Sequence, residues 1–172
     1  MSTTAAPKSQ MITIRDERPQ DWKAVHQAVS LAFGRFAEAN LVDALREAHD
    51  SVLSLVADEE GGILGHVMLS RMDAPFPALA LAPVSVIPSR QGKGIGSALI
   101  QTAVGRARMD AWGAIFVLGD PHYYKRFGFD AEAAAGFTCP YAGEQFMVLT
   151  LSSPLPTTAG RLGHAPAFAA LE

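Results

Sequence analysis

Cysteine is almost missing: Cys139 stands alone in 172 residues, which excludes an internal disulfide and any cysteine-rich zinc site. No apolar run is long enough to span a bilayer, and the opening "MSTTAAPKSQ" lacks the apolar core of a signal peptide. The expectation is a cytoplasmic chain without a membrane partner. Charge of one sign is also scarce. Lys and Arg number 14 against 17 Asp and Glu, a net of −3, so there is no basic field for nucleic acid and no acidic tract for a polycation. Repeats and linkers are absent, and the length suits a single domain over residues 1–172 that buries about 70% of its unfolded surface. Residues 1–9 are expected as a frayed polar leader and residues 152–172 as a tail packing on the domain; a monomer and a homodimer both fit.

What is present is a regular alternation of elements. "QMITIRDE" predicts a first strand with Met11, Ile12 and Ile14 on its apolar side. "RPQDWKAVHQAVSLAF" predicts a helix with the stripe Trp22, Val25, Val29 and Phe33, closed by Gly34. A second helix follows, with Ala37, Leu41, Leu45 and Ala48 as its stripe. Residues 51–72 read as a hairpin around Glu60-Gly61-Gly62. "ALALAPVSVIP" is a fourth strand, and Pro83 inside it demands an edge, a bulge or a splay. A long helix runs from Gly94 to about Trp112, then the strand "AIFVLG", a short helix in "DPHYYKRFGF" and a late strand "QFMVLTL". The order β-α-α-β-β-β-α-β-α-β implies an α/β fold of the α+β type, a mixed and mostly antiparallel sheet flanked by helices.

The stretch with most chemical content is "SRQGKGIGSALIQ", residues 89–101. Glycines let backbone amides approach an anion, and a helix start adds unpaired N–H groups and a positive dipole end. It is not a Walker loop, because Gly94 follows Lys93 where Ser or Thr belongs. Nor is it a dinucleotide fingerprint, since Leu99 stands where the last glycine is needed. Ser97 lies between Ile95 and Leu99 rather than glycines, so it is no hydrolase elbow. What remains is Q-x-x-G-x-G. On spacing alone, a plain joint between strand and helix stays open.

Context narrows this. The strand with Pro83, "VSVIPSRQGKGIGSAL" and the long helix closely resemble the acetyl-coenzyme A motif of the GNAT N-acetyltransferases, and "YYKRFGF" resembles their second signature. "LGDPHYYKRFGF" with "EQFMVLTL" and a tail containing "APAF" looks like the YhbS-like branch. The resemblance covers roughly residues 11–151. It implies splayed central strands and acetyl-coenzyme A as co-substrate, without a metal. It implies that exposed backbone groups of Val84, Ser85 and Val86 pair with the pantetheine arm. The pyrophosphate would then rest on the amides of Gln91, Gly92, Lys93, Gly94, Ile95 and Gly96, with Ser97. Lys93, Lys125 and Arg126 are candidates for the 3′-phosphate. Tyr124 aligns with the tyrosine near the coenzyme sulfur, protonated at neutral pH and available to the leaving thiolate. The amide of Val86 is the candidate oxyanion donor, and Glu38 the candidate base or amine anchor.

Other residues read as structural. Asp120 before Pro121 suits a helix cap, Tyr123 a packing aromatic, and His26 and His66 the interior. His122 adjoins the tyrosines with no role fixed by its position. His49 and His164 lack metal-like spacing, and Cys139 lacks a partner histidine for acyl transfer. Met68, Met72 and Met147 read as core or cleft lining. The expectation is direct transfer of acetyl to a small-molecule or protein amine in a ternary complex. The rivals are a coenzyme A-binding module without transfer and a transferase of another acyl group.

Overall fold

The computed structural model describes residues 11–171; the expected leader at 1–9 lies outside them. Seven strands form the main sheet. Six run in the order β1 (Thr13–Asp16), β2 (Ser51–Glu59), β3 (Gly62–Asp73), β4 (Ala78–Val86), β5 (Ala114–Leu118) and β7 (Phe146–Thr150). The seventh, β9 (Gly163–His164), adds to the end of β3, and β6 (Phe137–Thr138) pairs with β8 (Gly160–Arg161) apart from it. All pairs of the main sheet are antiparallel except β4 with β5, which the long helix α3 (Ile95–Met109) joins. That crossover makes the mixed sheet expected from the element order.

The helices divide over two faces. Helices α1 (Trp22–Phe33) and α2 (Ala37–Glu47) share a core with Met68, Phe116, Phe146 and Phe168; α3 shares the other with Leu79, Ile115, Met147 and Tyr124. On β5 the alternation is strict: Phe116 faces one core, Ile115 and Val117 the other. Phe116 stacks with Phe146 at 5.5 Å and meets Phe137 edge-on at 5.2 Å. Truncating so enclosed a ring to alanine costs roughly 3–5 kcal/mol. Among the described residues no helix is long and apolar enough to cross a membrane.

Four expectations need correction. Strand β1 begins at Thr13, and Met11 is 81% exposed before it, because an edge strand four residues long half-buries one apolar side chain, Ile14, against α3's core. The hairpin turn places positive φ on Glu60 and Gly61, while Gly62 already opens β3. Helix α3 ends at Met109, followed by Asp110 and left-handed Ala111. The buried face of α2 comprises Glu38, Ala39, Leu41, Val42 and Leu45, with Ala48 exposed. That face is turned because α2 packs on the C-terminal 3₁₀ turn (Pro166–Leu171) as well as on α1.

Pro83 does what a proline must in a strand. The β3–β4 register slips between Val67 and Leu69, so that one residue of β3 opposes Ala82 and Pro83 together. Strand β4 pairs with β5 only over Ala78, Leu79 and Ala80. Beyond Ala80 it follows β3 alone while β5 follows β7. The two central strands therefore part, and a cleft opens where the ladder ends.

Candidate active site

The edge left bare by this splay is defined by ladder alternation. Ile87 donates its amide to Leu64 at 2.9 Å, so in the antiparallel register Ser85 exchanges its bonds with His66. The amides and carbonyls of Val84 and Val86 therefore face outward. Ser85 departs from the expectation here, since its backbone groups turn toward β3. Its hydroxyl is buried without a partner among the described residues. The outward Val86 carbonyl accepts a bond from Gln91 Nε2 at 2.9 Å, which ties the turn to the strand.

Past Val86 the chain makes a 3₁₀ turn (Pro88–Arg90), where Arg90 and Gln91 return their amides to Ile87 and Pro88. The next amides, of Gly92, Lys93 and Gly94, have no acceptor among the described residues. Gly92 and Gly94 hold φ of +75° and +82°, a region open to glycine at no steric cost, and Gly94 is the N-cap of α3. Free amides thus precede a fifteen-residue helix whose dipole favours an anion at this end. A cleft of about 440 Å³ lies over them, lined by Val84 to Val86, Gln91, Gly92 and Gly94 to Ser97. Lys93 contributes no wall. Arg126 does, with its guanidinium 4.8 Å from the Tyr123 ring. Arg90 lies on the rim, but Glu59 holds it through two hydrogen bonds.

Val84 also lines a second cleft, of about 300 Å³, on the other side of the splay. Tyr124 reaches it from the short helix α4 (Pro121–Tyr124), which Asp120 caps by accepting the His122 amide at 2.9 Å. Gly119 makes room for the ring: a Cβ there would stand 2.4 Å from Tyr124 Cε2. Tyr124 is 8% exposed, edge-on to Tyr123 and Phe129. Its hydroxyl has no hydrogen bond among the described residues. Burial first, and Tyr123 second, push its pKa up to about 12. Tyr123 packs as expected, and in addition its hydroxyl sits 3.4 Å from Ser97 Oγ in the glycine-lined cleft.

Glu38 lines the same cleft as Tyr124, only 7% exposed. Its carboxylate is already bridged by Arg35, whose Nε lies 3.0 Å from both oxygens and whose Nη2 bonds Oε1. Sequence reasoning missed Arg35, and it missed the far wall: Tyr141, His164 and Phe168. His164 stands edge-on to Tyr141 and Phe168. Burial lowers its pKa to about 4, and its Nδ1 is buried without a partner among the described residues. The "APAF" of the tail is the signal that could have found this wall, since Phe168 belongs to it. His122, Lys93 and Lys125 form no wall of either cleft. Among the described residues no three His, Cys, Asp or Glu side chains gather as a metal site.

Comparison with known proteins agrees with this geometry. Residues 50–131 match the acetyltransferase (GNAT) domain family. The chain is 38% identical over 130 residues to YjhQ, an uncharacterized N-acetyltransferase of Escherichia coli K12, covering 70% of this chain and 71% of YjhQ. The crystal structure of the GNAT family N-acetyltransferase YhbS from Escherichia coli, in complex with CoA, superposes with a TM-score of 0.88. It is 28% identical and covers 96% of both chains. A GNAT family acetyltransferase from Brucella melitensis in complex with acetyl-CoA superposes at 0.80, with 36% identity over 92% of this chain and 99% of that one.

Proposed function

This chain belongs to the GNAT acetyltransferase family, and from that premise we propose that it transfers acetyl from acetyl-coenzyme A to a primary amine in a ternary complex. The observation that carries the reading is the splay after Ala80. It leaves a bare strand edge, Val84 to Val86, between a cradle of free amides and a cleft holding a buried tyrosine and a carboxylate. Relatives of this fold were crystallised with CoA and with acetyl-CoA. A pyrophosphate suits the amides of Gly92 to Gly96 with Ser97, the Gln91 amide being already spent on Pro88, and the pantetheine arm suits the outward groups of Val84 and Val86. Arg126, on the wall, is better placed for the 3′-phosphate than Lys93 or Lys125.

The amine nitrogen attacks the thioester carbonyl, forming the N–C bond; the C–S bond breaks, and the amine's proton ends on the coenzyme sulfur. The outward amide of Val86 is the donor for the carbonyl oxygen as it gains charge. Tyr124 supplies a hydrogen bond to the departing thiolate. Full proton donation from a phenol at about 12 to a thiolate near 8.5 is uphill, so the phenol solvates the sulfur while the amine's own proton completes the thiol. Glu38 anchors the amine with the lone pairs that Arg35 leaves unused. An amine of pKa ~10.4 is neutral only at about 0.04% at pH 7, so the rate rises with pH as that fraction grows.

The test is calorimetry followed by a thiol-release assay. Acetyl-coenzyme A binds more tightly than ATP, and an amine panel releases free coenzyme A thiol. Tighter binding of ATP would overturn the reading of the cradle; donor binding with no thiol released by any amine would overturn transfer.

A further inference from the structure

We infer that the acceptor cleft is built for a primary monoamine carried on an apolar body, aromatic or aliphatic, and discriminates against diamines and polyamines. This rests on the acetyl-transfer reading above and adds the substrate class. The walls are apolar from every side: Phe33 from α1, Leu41 from α2, Phe116 and Leu118 from β5, Phe168 and Leu171 from the C-terminal turn. Two of these wall residues, Phe33 and Leu118, stay 41% and 50% exposed. Apolar side chains left half in water on a cleft wall are surface on which an apolar ligand can lie. A volume of about 300 Å³ is at the small end of small-molecule sites.

The charge count is equally one-sided. Among the described residues on these walls, Glu38 and His164 are the two whose ordinary titration places charge near neutrality. His164 is kept neutral by burial, among Tyr141, Phe146 and Phe168. That leaves one carboxylate, and Arg35 already shares it. One ammonium finds an anchor at Glu38. A second, carried into the same cleft on a short stem, would lose its water and meet no counter-charge among the described wall residues, and that loss opposes binding.

Two amines of equal length isolate this. With saturating acetyl-coenzyme A, butylamine is expected to show a kcat/KM at least tenfold above butane-1,4-diamine, and 2-phenylethylamine to match or exceed butylamine. Leu118→Glu, at a half-exposed position, places a carboxylate at the mouth and should narrow the butylamine preference by at least threefold. Phe33→Glu serves the same purpose if Leu118→Glu does not fold. Parity or a preference for the diamine, or a ratio unmoved by the new carboxylate, would overturn the inference while leaving acetyl transfer intact. Binding of acetyl-coenzyme A with no amine acetylated would instead overturn the transfer reading beneath it.

Discussion

The two clefts meet at Val84 but are made of different material. The glycine-lined one is built around free backbone amides and comes from a single stretch, ten of the fourteen positions from Val84 to Ser97, with Tyr123 and Arg126 closing its side. The other gathers residues from α1, α2, β4, β5, α4, the loop carrying Tyr141 and the C-terminal segment. Backbone amides can be presented to a phosphate by any chain with the right turn. Side chains that converge from seven segments depend on the whole fold, so they can differ while the cradle stays the same. Donor recognition is local here, and acceptor recognition is distributed.

If the division is real, damage on one side should leave the other side's constants alone. Tyr124→Phe removes one hydrogen bond to the developing thiolate and should lower kcat by about 10²-fold with the KM for acetyl-coenzyme A within about twofold of wild type. Steady-state kinetics reads both, and a change confined to the donor KM would merge the two clefts. Gly96→Val is the reciprocal case. A Cβ at Gly96 would already stand 3.3 Å from the Tyr123 hydroxyl and 3.6 Å from Val86. The added methyls narrow the cradle, and calorimetry should find acetyl-coenzyme A bound at least about tenfold more weakly, roughly 1.4 kcal/mol. The acceptor KM should not move.

Acid compares the residues beneath the two clefts. His66 is wholly buried opposite Ser85, with Ser54 as its bonded partner at 2.8 Å. Burial, and then Arg46, bring its pKa to about 3; His164 in the acceptor cleft lies at about 4. Both folded values are below the unfolded 6.5, so between them the unfolded chain binds more protons and stability falls as pH falls. Each histidine contributes at most about 1.4 kcal/mol per pH unit, His66 from about 6.5 to 3 and His164 from about 6.5 to 4. Urea melts should show this slope flattened down to pH 3 in His66→Gln, but only down to pH 4 in His164→Gln. An unchanged slope in His66→Gln would mean that water reaches the ring. The smallest effect is expected for Asp120→Ala, where loss of the cap on the Tyr124 helix costs about 1 kcal/mol in the same melts.

Local and distributed recognition also differ in how far they are legible in the sequence. The hairpin, α3, β5 and the glycine turn are specified by neighbours along the chain, and Pro83 announces the splay because a missing amide is a local fact. Glu38 belongs to the acceptor side by its position on α2. Its burial is not legible, because a stripe through Ala37 and Ala48 is as regular as the true one through Glu38 and Val42. What turns the helix is the C-terminal 3₁₀ turn, some 130 residues on. His164 gives no signal of its place because β9 is two residues long and carries no period. Arg35 is the exception: it stands three residues before Glu38 at the entry to α2, a local i,i+3 pair, legible once Glu38 is placed on the buried face.

In the proposed reaction both substrates occupy adjoining clefts at once, and the amine attacks the thioester directly. Initial velocities measured across a grid of acetyl-coenzyme A and butylamine concentrations test this. Double-reciprocal lines that intersect are expected, as a ternary complex requires. Parallel lines, with acetyl-protein isolable when the amine is omitted, would contradict it.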